Sequence, residues 1–232
     1  MRRLIKKLIT TYLNKRGIYL VGRAKWEDNR RLKAEGVPGW LTKEECRRLY
    51  CLGLITTGAI LEIGHFLGKS TACLCEAIHD SKKSRLFYSY DLGFTSVKEF
   101  KQFYDKVHRA DVSVPTMWQD LVWSKNMTTT QVASKNLEQI GLDSYVKLIS
   151  GNYIDLDSRK YDLIFCDALH EPNEIQLNLP HIVEHSANSC IWVFHDMNEK
   201  NIDFVVLMSN ALLIELTGLL GVFLYVRAGT KA

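Results

Sequence analysis

Apolar positions along this chain change period several times, and each change marks an element. Ala59 to Ile63 is a short apolar run broken only by Glu62, the pattern of a strand buried on both faces. A helical pattern from Ser70 to about His79 follows, then a second strand, Arg85 to Tyr90, ending at Asp91. Strand, glycine-containing turn, helix and strand predict a βαβ unit. Further strands are expected over Tyr145 to Ser150, Tyr161 to Cys166 and Cys190 to Phe194. The tail offers an apolar pair, Leu212 to Glu215 and Val222 to Val226, joined through glycines as an antiparallel hairpin. Thr42 with Glu45 three residues on makes a capping box for a helix through Leu52, after a loop at Gly36 to Trp40. Residues 97 to 140 read as mostly helical, longer than an ordinary crossover. Glu174 to Glu184 is helical apart from the strain of Pro180, and a last helix starts near Asn201. The expected fold is α/β, with a mostly parallel seven-stranded sheet, a C-terminal antiparallel hairpin and an N-terminal helical extension.

Charge changes the picture at the N-terminus. Residues 1 to 33 hold 11 Lys or Arg against Glu27 and Asp28, or +9, whereas the remainder holds 19 against 24, or −5. There Leu4, Ile5, Leu8, Ile9, Tyr12 and Leu13 form one helical stripe opposite Arg2, Arg3, Lys6 and Lys7, and Gly17 is placed to end the helix. Two uses stay open: a helix resting on an anionic membrane surface or acidic partner, or one packed on its own domain or on a dimer mate. The organisation expected is an extension, 1–40, and one domain, 41–232, in which 97–140 covers an acceptor site. At 232 residues and 47% hydrophobic content the chain suffices for one full core.

The longest apolar stretch, Ala211 to Val226, is interrupted by Glu215 and Thr217-Gly218, so no transmembrane span is expected. Lysines break up the apolar run near the start and no small-residue cleavage site follows, which argues against a signal peptide. The six cysteines fall in apolar segments without a C-x-x-C pair, as in a reduced cytoplasmic protein. With the body acidic and the basic charge on an amphipathic helix, a nucleic-acid partner is not expected.

Candidate chemistry collects at strand ends. In Gly58-Ala-Ile-Leu-Glu-Ile-Gly-His-Phe-Leu-Gly-Lys-Ser-Thr71, Gly64 and Gly68 remove side chains that would keep a ligand off the backbone. The amides of the helix opened by Ser70 and Thr71 then point at the gap. Glu62 at the strand end would repel a pyrophosphate but suits the ammonium and hydroxyl groups of S-adenosylmethionine, and the spacing departs from the dinucleotide Gly-x-Gly-x-x-Gly. Successive strand ends carry Glu62, Asp91, Asn152, Asp167 and His195-Asp196, at the edge where open parallel sheets bind ligands.

On LEIGHFLGKST, FYSYDLG and YDLIFCDALHEP with IWVFHDMN, the chain resembles the class I S-adenosylmethionine-dependent methyltransferases over about residues 40 to 227. Within them it is similar to small-molecule and sugar O-methyltransferases of the macrolide-tailoring kind. The resemblance implies a three-layer Rossmann-like sandwich and a methyl transfer to a hydroxyl. It implies that Glu62, Gly64 and Gly68 hold the methionine part of the cofactor, Asp91 the ribose hydroxyls, and Asn152 the adenine edge. His65, Ser70, Thr71 and Asp167 complete that binding set. Asp167 and Asp196, with His195, would bind Mg2+ or Mn2+, and His170 would be the general base with His195 as a second catalytic group. His195 stands where related enzymes often have an acid, and Ala168 where glycine is usual.

Trp118 and Trp123, with Tyr104 and His108, are candidates for acceptor recognition, with a core or dimer-interface role as the alternative. Three readings of function follow: a metal-assisted O-methyltransferase acting on a small molecule or sugar, a metal-independent one of the same fold, and a non-catalytic protein docking through its basic helix. An NAD-dependent oxidoreductase is the weakest rival, because the glycine spacing departs from the dinucleotide pattern.

Overall fold

The computed structural model describes residues 31–106, 116–156, 158–168, 172–209 and 211–227. The basic helix expected over residues 1–17, His108 and His170 lie outside them. Seven strands form one sheet: β1 (Ile60–Ile63), β2 (Phe87–Asp91), β3 (Lys147–Ser150), β4 (Tyr161–Cys166), β5 (Ser186–Phe194), β6 (Leu212–Thr217) and β7 (Leu220–Val226). Their spatial order is β3-β2-β1-β4-β5-β7-β6. Strands β1 to β5 are parallel, and β7 runs antiparallel to both β5 and β6. From β1 the chain works outward through β2 and β3, then returns to the far side of β1 for β4 and β5. The order therefore reverses between β1 and β4, the position at which an open parallel sheet leaves a crevice beyond its carboxyl ends.

Strands β1 and β4 and the C-terminal part of β5 are apolar and buried at nearly every position, so the middle of the sheet faces a core on both sides. Ile60, Leu163, Phe165 and Val193 point to one layer, with Leu49 of α1 (Lys43–Ile55) and Leu74 of α2 (Lys69–Ser81). Leu61, Ile164, Trp192 and Phe194 point to the other, with Leu179 of α6 (Pro172–His185) and Val205 of α7 (Glu199–Ser209). The result is the expected three-layer arrangement. Cys46, Cys73, Cys75, Cys166 and Cys190 are buried in these layers. No helix among the described residues is long and apolar enough to cross a membrane.

The capping box at Thr42 is formed as expected: Glu45 N–H donates to Thr42 Oγ1 (3.2 Å) and Thr42 N–H to Glu45 Oε2 (2.8 Å). Elsewhere the element limits differ. Strand β5 begins at Ser186, ahead of the expected Cys190, and pairs there with Tyr161 before a register shift. Helix α6 passes through Pro180 without ending. The long connection resolves into α3 (Val97–Lys106), α4 (Thr116–Leu121) and α5 (Thr129–Ile140).

Candidate functional site

The turn after β1 is shaped by backbone that side chains resist. Gly64 has φ +90°, and a Cβ built on it would lie 2.7 Å from the Asp167 carbonyl oxygen, so the ends of β1 and β4 meet there only because that atom is missing. Gly68, also at φ +90°, is the N-cap of α2 and supplies no side-chain cap. The first amides of α2 are thus left for a ligand. Between them Phe66 takes φ +46°, costly for a bulky residue. Its ring is stacked between Trp40 (4.6 Å between centroids) and Trp118 (5.6 Å), and its N–H donates to Asp91 Oδ2 (2.9 Å), which offsets that strain.

Glu62, His65, Ser70 and Thr71, expected at the cofactor, have their side chains enclosed beneath this turn. Glu62 is 0% exposed and its Oε2 accepts from Thr71 Oγ1 (2.6 Å) and Ser89 Oγ (2.5 Å). Burial drives its carboxyl up to about 7, although the hydroxyls of Ser70, Ser89 and Thr71 favour the charged form. His65 is buried as well, with Nδ1 3.0 Å from Ser89 Oγ and Nε2 3.0 Å from Thr130 Oγ1. Desolvation lowers its pKa. Ser70 and Thr71 are buried with them. Enclosure is the reason these side chains serve the turn from below and present no polar atom at its surface.

Asp91 stays half-buried at the end of β2. Its Oδ2 accepts from Phe66 N–H, and its Oδ1 from Gly93 N–H (2.8 Å) and Thr129 Oγ1 (2.6 Å). Next to it, after β3, Asn152 is exposed and caps a short 3-10 turn through Ile154 N–H (3.1 Å).

On the other side of Gly64, Asp167 follows β4 and His195-Asp196 follows β5. His195 Nδ1 lies 3.0 Å from Asp167 Oδ1 and 3.2 Å from Asp196 Oδ1, while its Nε2 faces Glu45 Oε1 at 3.9 Å. Burial alone would lower the pKa of this imidazole; its hydrogen bond to Asp167 and the charges of Asp167, Asp196 and Glu45 outweigh that and push it up to about 9. Asp167, His195 and Asp196 bring one ligand atom each within 4.8 Å of one another, a donor set that suits a hard or borderline divalent ion.

Gly64, Gly68, Asp91, Asp167, His195 and Asp196 are therefore brought to one edge, flanking β1. Trp118 and Trp123 are not open platforms. Trp118 is only 9% exposed, enclosed by Phe66, Phe94, Phe100 and Trp123, and Trp123 Nε1 donates to the Phe94 carbonyl (2.9 Å). The exposed ring of the group is Trp40, at 54%. Sequence reasoning did not place Ser89, Thr129, Thr130 or Glu45 at the site. A serine inside the apolar run Phe87–Tyr90 and three successive threonines at 128–130 were the available signals.

A family model described as a methyltransferase domain matches residues 61–197, more than half of the chain. No curated protein sequence matches it. Among solved structures, an O-methyltransferase from Klebsiella pneumoniae, itself assigned by inference, is 18% identical, with 95% of this chain and 97% of that one covered and a TM-score of 0.53. The O-methyltransferase from Bacillus cereus, solved in complex with SAH, is 14% identical at the same coverage, with a TM-score of 0.54. TomG from Streptomyces achromogenes, an O-methyltransferase of tomaymycin synthesis solved with SAM, is 15% identical over 95% of this chain and 96% of that one, with a TM-score of 0.51. At such identities these likenesses establish the fold alone.

Proposed function

Because this chain belongs to the methyltransferase-domain family, we propose that it is an S-adenosylmethionine-dependent O-methyltransferase acting on a small hydroxylated molecule or sugar. The observation that carries the reading is the turn between β1 and α2. Uncapped amides at the start of α2 and the Asp91 carboxylate lie along one edge, joined by a turn that can pack onto the Asp167 carbonyl only because Gly64 has no side chain. That set suits a ligand with an α-carboxylate and vicinal hydroxyls, and it lacks the glycine spacing of a pyrophosphate site.

The cofactor supplies a methyl group on a sulfonium, electrophilic at carbon. In this reading the α2 amides and the Gly64–Gly68 backbone hold its amino-acid end, and Asp91 accepts from a ribose hydroxyl. The acceptor hydroxyl would approach over the ends of β4 and β5, and His170, which follows β4 in sequence, would take its proton as the carbon–oxygen bond forms and the methyl–sulfur bond breaks, leaving the cofactor as a neutral thioether. Asp167 and Asp196, with His195, are the residues that would hold a divalent ion, whose chemistry there is to lower the pKa of that hydroxyl. The enclosed Glu62 acts on the site through the turn above it.

Calorimetric titration of the purified protein with S-adenosylmethionine, with and without Mg2+ or Mn2+ and with NAD as control, tests the proposal. Micromolar binding of the sulfonium cofactor and none of NAD is expected. Absence of binding under all of these conditions overturns it.

A further inference from the structure

Three successive threonines open α5, and each makes a different bond. Thr128 caps the helix, its Oγ1 accepting from Gln131 N–H (3.2 Å) while Gln131 Oε1 accepts from Thr128 N–H (2.9 Å). With the helix start held, the next two hydroxyls reach two different strand ends. Thr129 Oγ1 donates to Asp91 Oδ1 after β2 (2.6 Å), and Thr130 Oγ1 lies 3.0 Å from Nε2 of His65 after β1. One turn later Ala133 lies against Gly68, where a Cβ on the glycine would come within 3.2 Å of the alanine Cβ. Asn136 Nδ2 donates to the Leu67 carbonyl (2.8 Å). Positions 129, 133 and 136 fall on one helical face, and that face is seated on the glycine turn.

Donor accounting makes the seat directional. Ser89 Oγ donates to Glu62 Oε2, so it accepts from His65 Nδ1–H. A neutral His65 then offers a bare Nε2, which accepts from Thr130 Oγ1. Thr130, His65, Ser89 and Glu62 thus form one head-to-tail chain from α5 to the middle of the sheet. At Asp91, a carboxylate with about four acceptor positions already accepts from Phe66, Gly93 and Thr129. It is fixed in rotation, with room for one more donor, on Oδ2.

We propose that Thr129 and Thr130 are positioning residues for cofactor binding, the inner face of α5 serving as a clamp that holds Asp91 and the Gly64–Gly68 turn in the binding arrangement. The proposal rests on the reading of Asp91 as the residue that accepts from the ribose. It assigns the C-terminal part of the 97–140 connection to the cofactor, in place of the acceptor cover expected from sequence.

The test is S-adenosylmethionine affinity by calorimetry on the full chain, for Thr129→Val, Thr129→Ser, Thr130→Val and Thr130→Ser, with Asp91→Ala and Ser134→Ala alongside and a thermal melt of each. Removing one hydroxyl bond to a charged or buried partner is expected to weaken binding about tenfold or more. Each serine variant keeps the hydroxyl and is expected to restore affinity to within about threefold of wild type, a rescue that a merely space-filling threonine would not produce. Ser134, which donates to Glu138 on the exposed side of α5, is expected to have no effect. If one valine variant fails to fold, the other carries the comparison.

Wild-type affinity in both valine variants, alongside lost binding in Asp91→Ala, overturns the clamp and leaves the Asp91 reading standing. Tighter binding by Thr129→Val also overturns it, since the hydroxyl would then be a placeholder that the ribose displaces. If Asp91→Ala binds like wild type, the ribose reading fails, and the clamp fails with it.

Discussion

Replacing Glu62 with glutamine should remove a loss of stability that wild type suffers as pH rises, and the size of that loss follows from burial. This carboxyl is fully enclosed, and burial moves it from 4.5 to about 7 in the fold. Between those values the folded state holds a proton that the unfolded state has released, so stability falls as pH rises. The contribution is fully present below about 4.5 and lost as pH rises through about 7. At about 1.4 kcal/mol for each tenfold change in proton affinity, the loss is of order 3 kcal/mol. The substituted glutamine has nothing to ionise; its amide oxygen can keep the bonds from Thr71 and Ser89, and its amide nitrogen, in the place of the unpartnered Oε1, adds a cost that is the same at every pH. The assay is chemical denaturation of wild type and Glu62→Gln from pH 4 to 8.5. The difference between the two should shift by roughly 3 kcal/mol from pH 4 to pH 8 in favour of the variant, about 6–12 °C in melting temperature for a chain of this size. Other titrating groups are common to both proteins and cancel. Parallel curves across the range would refute the argument and show that the site reaches water or relaxes around the charge.

Gly64→Ala should destabilise by about 2–4 kcal/mol, because the alanine must hold φ +90° and its methyl meets the Asp167 carbonyl at 2.7 Å; cofactor titration should show binding lost as well. Asp91→Ala should weaken S-adenosylmethionine binding at least tenfold in the same titration. Asp167→Ala should leave cofactor binding nearly intact and abolish methyl transfer to an identified acceptor, and full turnover in that variant would make the metal assignment wrong. Treatment with a chelator should lower turnover without changing cofactor affinity, with recovery on adding Mg2+ or Mn2+; unchanged turnover favours the metal-independent mechanism.

Elements with a local cause were legible in the sequence. The central strands read correctly because burial on both faces demands continuous apolar runs, as at Leu163–Cys166. The helix after Thr42 read correctly because a capping box is complete within four residues. The N-terminal part of β5 did not, since Ser186, Asn188 and Ser189 resemble a loop until Tyr161 is seen to pair with Ser186. The helix through Pro180 did read correctly, and the packing of Leu179 and Ile182 into the core holds α6 on both sides of that proline.

Polar residues at the site divide along a similar line. Asp91, Asp167 and Asp196 could be placed at one sheet edge from the sequence because a strand end is a place in the sequence, and a carboxylate there has a chemical meaning by itself. Whether a polar group faces a ligand or supports one from beneath depends on what lies above it, and that is a tertiary fact. Glu62 and His65 sit at the expected place in the turn but are covered, because Thr71, Ser89 and Thr130 arrive from three other elements to take their polar atoms. The same cause hid Glu45. As a capping residue it needed one oxygen, and its other oxygen accepts from Leu219 N–H (2.7 Å), where the β6–β7 turn brings a residue distant in sequence to the start of α1. Its position facing His195 ties the β6–β7 hairpin to the acidic end of the site, so that the end of β5 is supported by the element that closes the sheet beside it.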